Sequence, residues 1–105
     1  MISNLKSQIL EELWSLVASI PRGKVASYGE VGRALSTPSS GYMVGRWMAQ
    51  APGGLPWWRV VGKGGEMRTA QRDPQLAEIQ RQYLLEEGVG LVDDRVEMSA
   101  DAHIW

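Results

Sequence analysis

Cysteine is absent from all 105 residues. No disulfide, zinc–thiolate site, iron–sulfur cluster or thiol nucleophile is therefore available to the chain. Histidine is nearly as scarce: the single copy, His103, is too little for a histidine-based metal site. No metal and no cofactor are implied. Apolar residues never run long enough to span a bilayer, and residues 1–20 mix apolar with charged side chains, unlike a secretion signal. The expectation is a cytoplasmic protein with no membrane association. What is present, 44% apolar and 22% charged residues, predicts one small globular domain over residues 1–105 rather than a disordered segment.

The net charge of −1 hides two opposed blocks. Residues 21–72 carry eight basic side chains against two acidic ones, a balance of +6. Residues 73–105 carry two basic against eight acidic, a balance of −6. A basic middle and an acidic end suggest a polyanion-binding face backed by a solvated one; ordinary charge scatter is the alternative.

The spacing of Leu5, Ile9, Leu13, Leu16, Val17 and Ile20 predicts a helix over about 3–19, with Trp14 packing beside its apolar face and Pro21-Arg22-Gly23 ending it. Ser27-Tyr28-Gly29-Glu30 reads as a capping box opening a short helix over 28–35. Thr37-Pro38 reads as a second N-cap with proline at the first helical position, leading a helix over about 39–50. The small residues Ser39, Ser40 and Gly41 at its start permit close approach to a phosphate backbone or to another helix. Two short helices joined by a tight turn in the basic block read as a helix-turn-helix, a pattern that many α-rich cores share.

Further along, Arg59-Val60-Val61, the Gly62-Lys63-Gly64-Gly65 turn and a return at Glu66-Met67-Arg68 predict the wing of a winged helix. Asp73-Pro74 caps a long helix to Glu87, with Gly88 beyond its end and Leu76, Ile79, Tyr83 and Leu84 on its core face. Val89 to Met98, turning at Asp93-Asp94, predicts a small terminal hairpin. The fold class expected is mainly α with a small β component, a winged helix-turn-helix-like DNA-binding domain.

The oddest local feature is Pro56-Trp57-Trp58-Arg59-Val60. Two adjacent tryptophans cannot both face the buried side of one regular element. At least one is exposed or lines a cavity, and aromatics beside positive charge are how proteins stack on bases. The alternative is that both are irregular core plugs.

Four segments now fall into one pattern. Ile20-Pro21-Arg22-Gly23-Lys24-Val25-Ala26-Ser27-Tyr28-Gly29-Glu30-Val31 resembles the start of the helix-turn-helix in the O6-alkylguanine-DNA alkyltransferases. Pro38 to Gly45 resembles their recognition helix. Pro56-Trp57-Trp58-Arg59-Val60 resembles their Pro-Cys-His-Arg-Val, and Leu84-Leu85-Glu86-Glu87-Gly88 their Leu-Leu-x-x-Glu-Gly. The order and approximate spacing match over about residues 13–92. Trp57 stands at the family's cysteine and Trp58 at its histidine; only Glu87, at the glutamate position, remains. An indole is neither an acidic nucleophile nor a proton acceptor, so alkyl transfer by the family mechanism is chemically excluded. The combination resembles the alkyltransferase-like proteins, the branch without the acceptor cysteine, which bind O6-alkylguanine in duplex DNA without repairing it and hand it to nucleotide excision repair.

The resemblance implies site residues. Trp57 forms the pocket wall, with Trp58 packing beneath it and the backbone near Val60 against the guanine edge. Tyr28 helps swing the target nucleotide. Tyr42 falls where the family has an intercalating arginine; a tyrosine can still wedge into the vacated stack. Met43 contacts sugars or packs. Arg46, Ser39 or Ser40, and Arg33 are candidate phosphate or groove contacts. Arg59 and Glu87 order the pocket loop. Arg68 or Arg72 supplies the basic residue that meets the alkylated base in alkyltransferase-like relatives. The implied partners of this expected monomer are double-stranded DNA containing O6-alkylguanine and the excision-repair machinery, in bacteria its damage-sensing ATPase UvrA. Two rival readings remain: a winged-helix regulator reading sequence, and a protein-interaction module with a degenerate DNA face.

Overall fold

A computed structural model describes residues 4–98. Helix α1 (Asn4–Ala18) buries Leu13 and Val17, with Ile20 just beyond its end, against the rest of the first core. Trp14 packs at the edge of that core. Leu5, expected on the same face, is 62% exposed.

The capping box forms as the sequence predicts. The Glu30 amide donates to Ser27 Oγ, and the Ser27 amide donates to the Glu30 carboxylate. Together they start α2 (Tyr28–Ala34) directly after the two-residue strand β1 (Ala26–Ser27). Helix α3 (Gly41–Met48) begins later than expected. Its N-cap is Ser40, whose Oγ accepts from the Met43 amide, not Thr37. Thr37 and Pro38 belong to the turn instead, which the Ser39 amide closes by donating to the Gly32 carbonyl. Gly32 and Gly41 explain the tight α2–α3 packing. A Cβ on Gly32 would collide with the Ser39 carbonyl oxygen, and one on Gly41 would lie 3.0 Å from the Gly29 nitrogen. The small residues at the start of α3 thus serve contact with another helix. The helix-turn-helix is real and its two helices are locked together.

No wing forms among the described residues. Strand β2 (Val60–Val61) pairs in parallel with β1, Ala26 opposite Val60 and Ser27 opposite Val61. The expected return at Glu66–Arg68 is replaced by a tight turn in which the Gly62 amide donates to the Glu66 carbonyl. Gly64 and Gly65 take positive φ there. Gly65 lies so close to the Val96 carbonyl that no Cβ fits. That contact commits the segment to the C-terminal hairpin, and Glu66 bridges Arg95. A 3-10 turn, Arg68–Gln71, follows.

Helix α4 (Pro74–Glu86) starts as predicted, with Asp73 accepting from the Gln75 amide and proline at the first position. Its inner face differs from expectation. Gln80 and Leu84 are fully buried, whereas Ile79 and Tyr83 are 42% and 40% exposed. The helix packs on the 3-10 turns at 57–59 and 68–71, so its buried stripe is rotated towards Gln80. Strands β3 (Leu91–Val92) and β4 (Arg95–Val96) form the predicted antiparallel hairpin, with Asp93 and Asp94 both at positive φ in its turn. The result is a mainly helical fold with small β pieces.

Candidate nucleic-acid interface

The Pro56-Trp57-Trp58-Arg59 segment resolves the tryptophan problem through a 3-10 turn over Trp57–Arg59. The two rings stand edge to face, 6.0 Å apart and 84° from coplanar. Each is half-buried, and each belongs to a different core. Trp57 packs with the α1–α3 cluster. Trp58 packs with Val25, Val61, Leu84, Val89 and Val96. Tyr83 completes the group, tilted over Trp58 at 4.6 Å and edge-on to Trp57 at 6.5 Å.

Behind these rings lies a polar lock. The Glu87 carboxylate, with its side chain only 3% exposed, accepts from four groups. The Trp58 indole N–H donates at 2.9 Å and the Gly23 amide at 3.0 Å. Arg59 donates through both Nε and Nη2, the latter at 2.7 Å. Its Nη1 reaches the Ile20 carbonyl at 2.8 Å, and its guanidinium lies 5.5 Å from the centre of the Trp58 ring. Burial alone would raise the Glu87 pKa. The hydrogen bonds from Arg59, Gly23 and Trp58 and the positive charge of Arg59 outweigh it and bring the value down to about 2. Glu87 is therefore a clamp that is ionised at neutral pH.

A second lock is Gln80. Its amide nitrogen donates to the Trp58 and Val60 carbonyls, and its oxygen accepts from Thr69 Oγ1 at 2.8 Å. One buried side chain thus ties the tryptophan turn to the 68–71 turn. Residue type alone conceals this role, though the spacing of Gln80 from Leu76, Leu84 and Glu87 places it on their helix face.

These rings wall one of two adjoining concavities. A groove of about 770 Å³ runs between the helix pair and residues 62–72; Tyr28, Tyr42, Arg46, Lys63, Arg68 and Arg72 line it. A cavity of about 460 Å³ is walled by Trp57, Trp58, Tyr83, Leu55 and Leu76. The two share Tyr28, Ala49, Thr69 and Arg72, so the basic groove and the aromatic pocket adjoin along these four residues. Tyr28 at that junction is largely buried. Burial raises its phenol pKa against the opposing pull of Arg72 and Arg68, which keeps it a neutral donor.

The remaining predicted residues are distributed unevenly. Tyr42 stands 71% exposed on α3, and Arg46 donates to its hydroxyl at 3.3 Å. Met43 is at the margin of exposure and lines neither concavity, while its neighbour Val44 is core. Ser40 is used as the α3 cap, and Ser39 Oγ donates to the Thr37 carbonyl. Neither serine, nor the exposed Arg33, lines either concavity. Val60 is wholly buried, with its N–H given to the Trp57 carbonyl and its own carbonyl to Gln80. Arg68 lines the groove only and sits 4.0 Å from Glu66; Arg72 lines groove and pocket alike. Tyr83, expected in the core, is a pocket wall. Its place four residues before Glu87 was the available signal.

A locked helix pair with a basic groove along it defines the class, a helix-turn-helix DNA-binding domain. The chain belongs to the family described as the DNA binding domain of 6-O-methylguanine DNA methyltransferase, which matches residues 8–89. It is 40% identical to the DNA base-flipping protein of Escherichia coli K12 over 97 residues, 90% of this chain and 72% of that one. It is 36% identical to alkyltransferase-like protein 1 of Schizosaccharomyces pombe over 81 residues, 74% of this chain and 73% of that one. The crystal structure of S. pombe Atl1 with damaged DNA containing O6-carboxymethylguanine superposes with a TM-score of 0.78 at 26% identity, covering 94% of this chain and 95% of that one. Relatives of this chain are thus base-flipping and alkyltransferase-like proteins, and a structural neighbour is a complex with damaged DNA.

Proposed function

We propose that this protein recognises O6-alkylguanine in double-stranded DNA by turning the nucleotide out of the helix into the pocket of Trp57, Trp58 and Tyr83, without transferring the alkyl group. The observation that carries this reading is that groove and pocket adjoin and share Tyr28, Thr69 and Arg72 as walls. A duplex held in the basic groove has its neighbouring base at the mouth of an aromatic cavity.

The chemistry fits each step. Lys63, Arg46 and Arg68 attract phosphates without reading sequence. Alkylation at O6 removes the guanine N1 proton and weakens pairing, so extrusion costs less at the lesion than at a normal base pair. The half-exposed indole face of Trp57 stacks on the base, and the apolar wall receives the alkyl group. Tyr42, projecting from α3, fills the gap left in the stack. With Trp57 and Trp58 where the acceptor and its base would stand, the bound lesion is retained rather than repaired. The protein then marks the site, as a cytoplasmic monomer, for nucleotide excision repair through a partner such as UvrA.

Fluorescence anisotropy on two short duplexes, identical except for one O6-methylguanine, tests the reading at a fixed salt concentration. The modified duplex is expected to bind more tightly. Equal binding would leave a general DNA-binding domain, and no binding to either would favour a protein-interaction module.

A further inference from the structure

Gln80 is wholly buried on α4, one turn from the equally buried Leu84. An amide is a demanding choice for such a place, because each of its polar atoms needs a partner. Gln80 finds them in three different residues: the Trp58 and Val60 carbonyls and the Thr69 hydroxyl. Two carbonyls can only accept, so the amide has a single orientation, and the Thr69 hydroxyl can only donate to it.

These partners do not depend on Gln80 equally. Trp58 is also held by Glu87, and Val60 by its pairing with Ala26. The 68–71 turn has no such second tie. Among the described residues, every other hydrogen bond made by residues 68–72 runs to a position between 66 and 73. The Thr69–Gln80 bond is therefore the one that fastens this turn to the residue carrying Trp58. Thr69 lines groove and pocket alike, so its place relative to Trp58 sets how the groove is registered on the pocket.

We propose that Gln80 and Thr69 form a positioning pair for lesion recognition. Their bond fixes the 68–71 turn against the Trp58 turn, so that a nucleotide leaving a duplex held in the groove meets a pocket of set width. Gln80 acts from behind the wall, without touching the base. The bond adds no positive charge, so it governs preference for the lesion and not the pull on phosphates. This rests on the lesion-flipping reading above and names what holds that site in register.

The test uses the full chain and two duplexes that differ only by one O6-methylguanine, under conditions where urea unfolding shows each variant fully folded. Thr69→Val removes the hydroxyl at nearly constant shape and leaves the Gln80 bonds to Trp58 and Val60 in place. It should lower the ratio of modified to unmodified affinity by about fivefold, the worth of one buried hydrogen bond. Thr69→Ser, which keeps the hydroxyl, should retain most of the wild-type ratio. Gln80→Met should lower the ratio at least as far as Thr69→Val, and combining the two should lower it little further, because they remove the same bond. A folded Thr69→Val variant with the wild-type ratio, whether or not it is less stable, would reduce the pair to support of the fold. That result would overturn the proposal and leave lesion recognition standing. A wild type that binds both duplexes alike would instead overturn the lesion reading, and this proposal with it.

Discussion

The groove and the pocket are built on opposite plans. The groove is lined by long basic side chains that reach into solvent with few internal partners, such as Arg46 on α3 and Lys63 on its glycine turn. The pocket wall is over-determined. Trp58 is held by its indole N–H to Glu87 and by its carbonyl to Gln80, and its ring also contacts Tyr83 and the Arg59 guanidinium. Solvent-exposed cations suit a phosphate backbone, whose charge acts at a distance. A rigid aromatic wall suits a base, which must be matched in shape. On the proposed reading, general affinity belongs to the groove and discrimination to the pocket.

Breaking the polar lock should give the largest effect. Glu87→Ala leaves the Arg59 charge and the Trp58 indole without their acceptor, so a loss of about 3–5 kcal/mol is expected in urea unfolding. The same carboxylate predicts an acid limit. Its folded pKa, about 2, lies below the ordinary 4.5, so its contribution is fully present above about pH 4.5 and is lost as pH falls towards 2. Glu87→Gln should flatten the stability profile across that window, whereas an unchanged profile would deny Glu87 this role.

Next in size is Trp57→Ala. It should cost about 1–3 kcal/mol of affinity for the modified duplex, the worth of one stacked base, and much less for unmodified DNA. Unchanged lesion affinity in a folded variant would remove Trp57 from the pocket. The groove should respond differently. Arg46→Gln or Lys63→Gln should weaken both duplexes alike and lower the slope of log affinity against log salt by about one for each phosphate no longer neutralised. A selective effect on lesion binding would blur the division of labour. Smallest in affinity, Tyr42→Ala should mainly reduce extrusion, read as a weaker signal from a fluorescent base analogue. Full extrusion in that variant would argue against the wedge.

Much of this was legible in the sequence wherever the cause is local. The Ser27–Glu30 box, the Asp73-Pro74 start and the Asp93-Asp94 turn each involve hydrogen bonds or dihedral angles within a few residues, and each forms as the sequence predicts. Failures occurred where a distant partner decides. The wing gave way because Gly65 is pressed against Val96, thirty-one positions on. Thr37 lost the cap to Ser40 because α2 fixes the turn through Gly32. In the site, the motif identified Trp57, Trp58, Arg59 and Glu87, but not that the Trp58 indole donates to Glu87. Periodicity put Tyr83 on the core face and gave Gln80 no place there. The structure reverses them, since Gln80 is buried with three hydrogen-bond partners and Tyr83 has a cavity to line. Arg68 and Arg72 have equal standing in the sequence and separate only once the pocket is in view.

The most direct test of the central claim is a crystal structure of the protein with a duplex containing one O6-methylguanine. The account predicts the modified base outside the helix, in the cavity bounded by Trp57, Trp58 and Tyr83, with Tyr42 in the gap it leaves and the basic groove along the backbone. A modified base still stacked within the duplex, above an empty pocket, would contradict it.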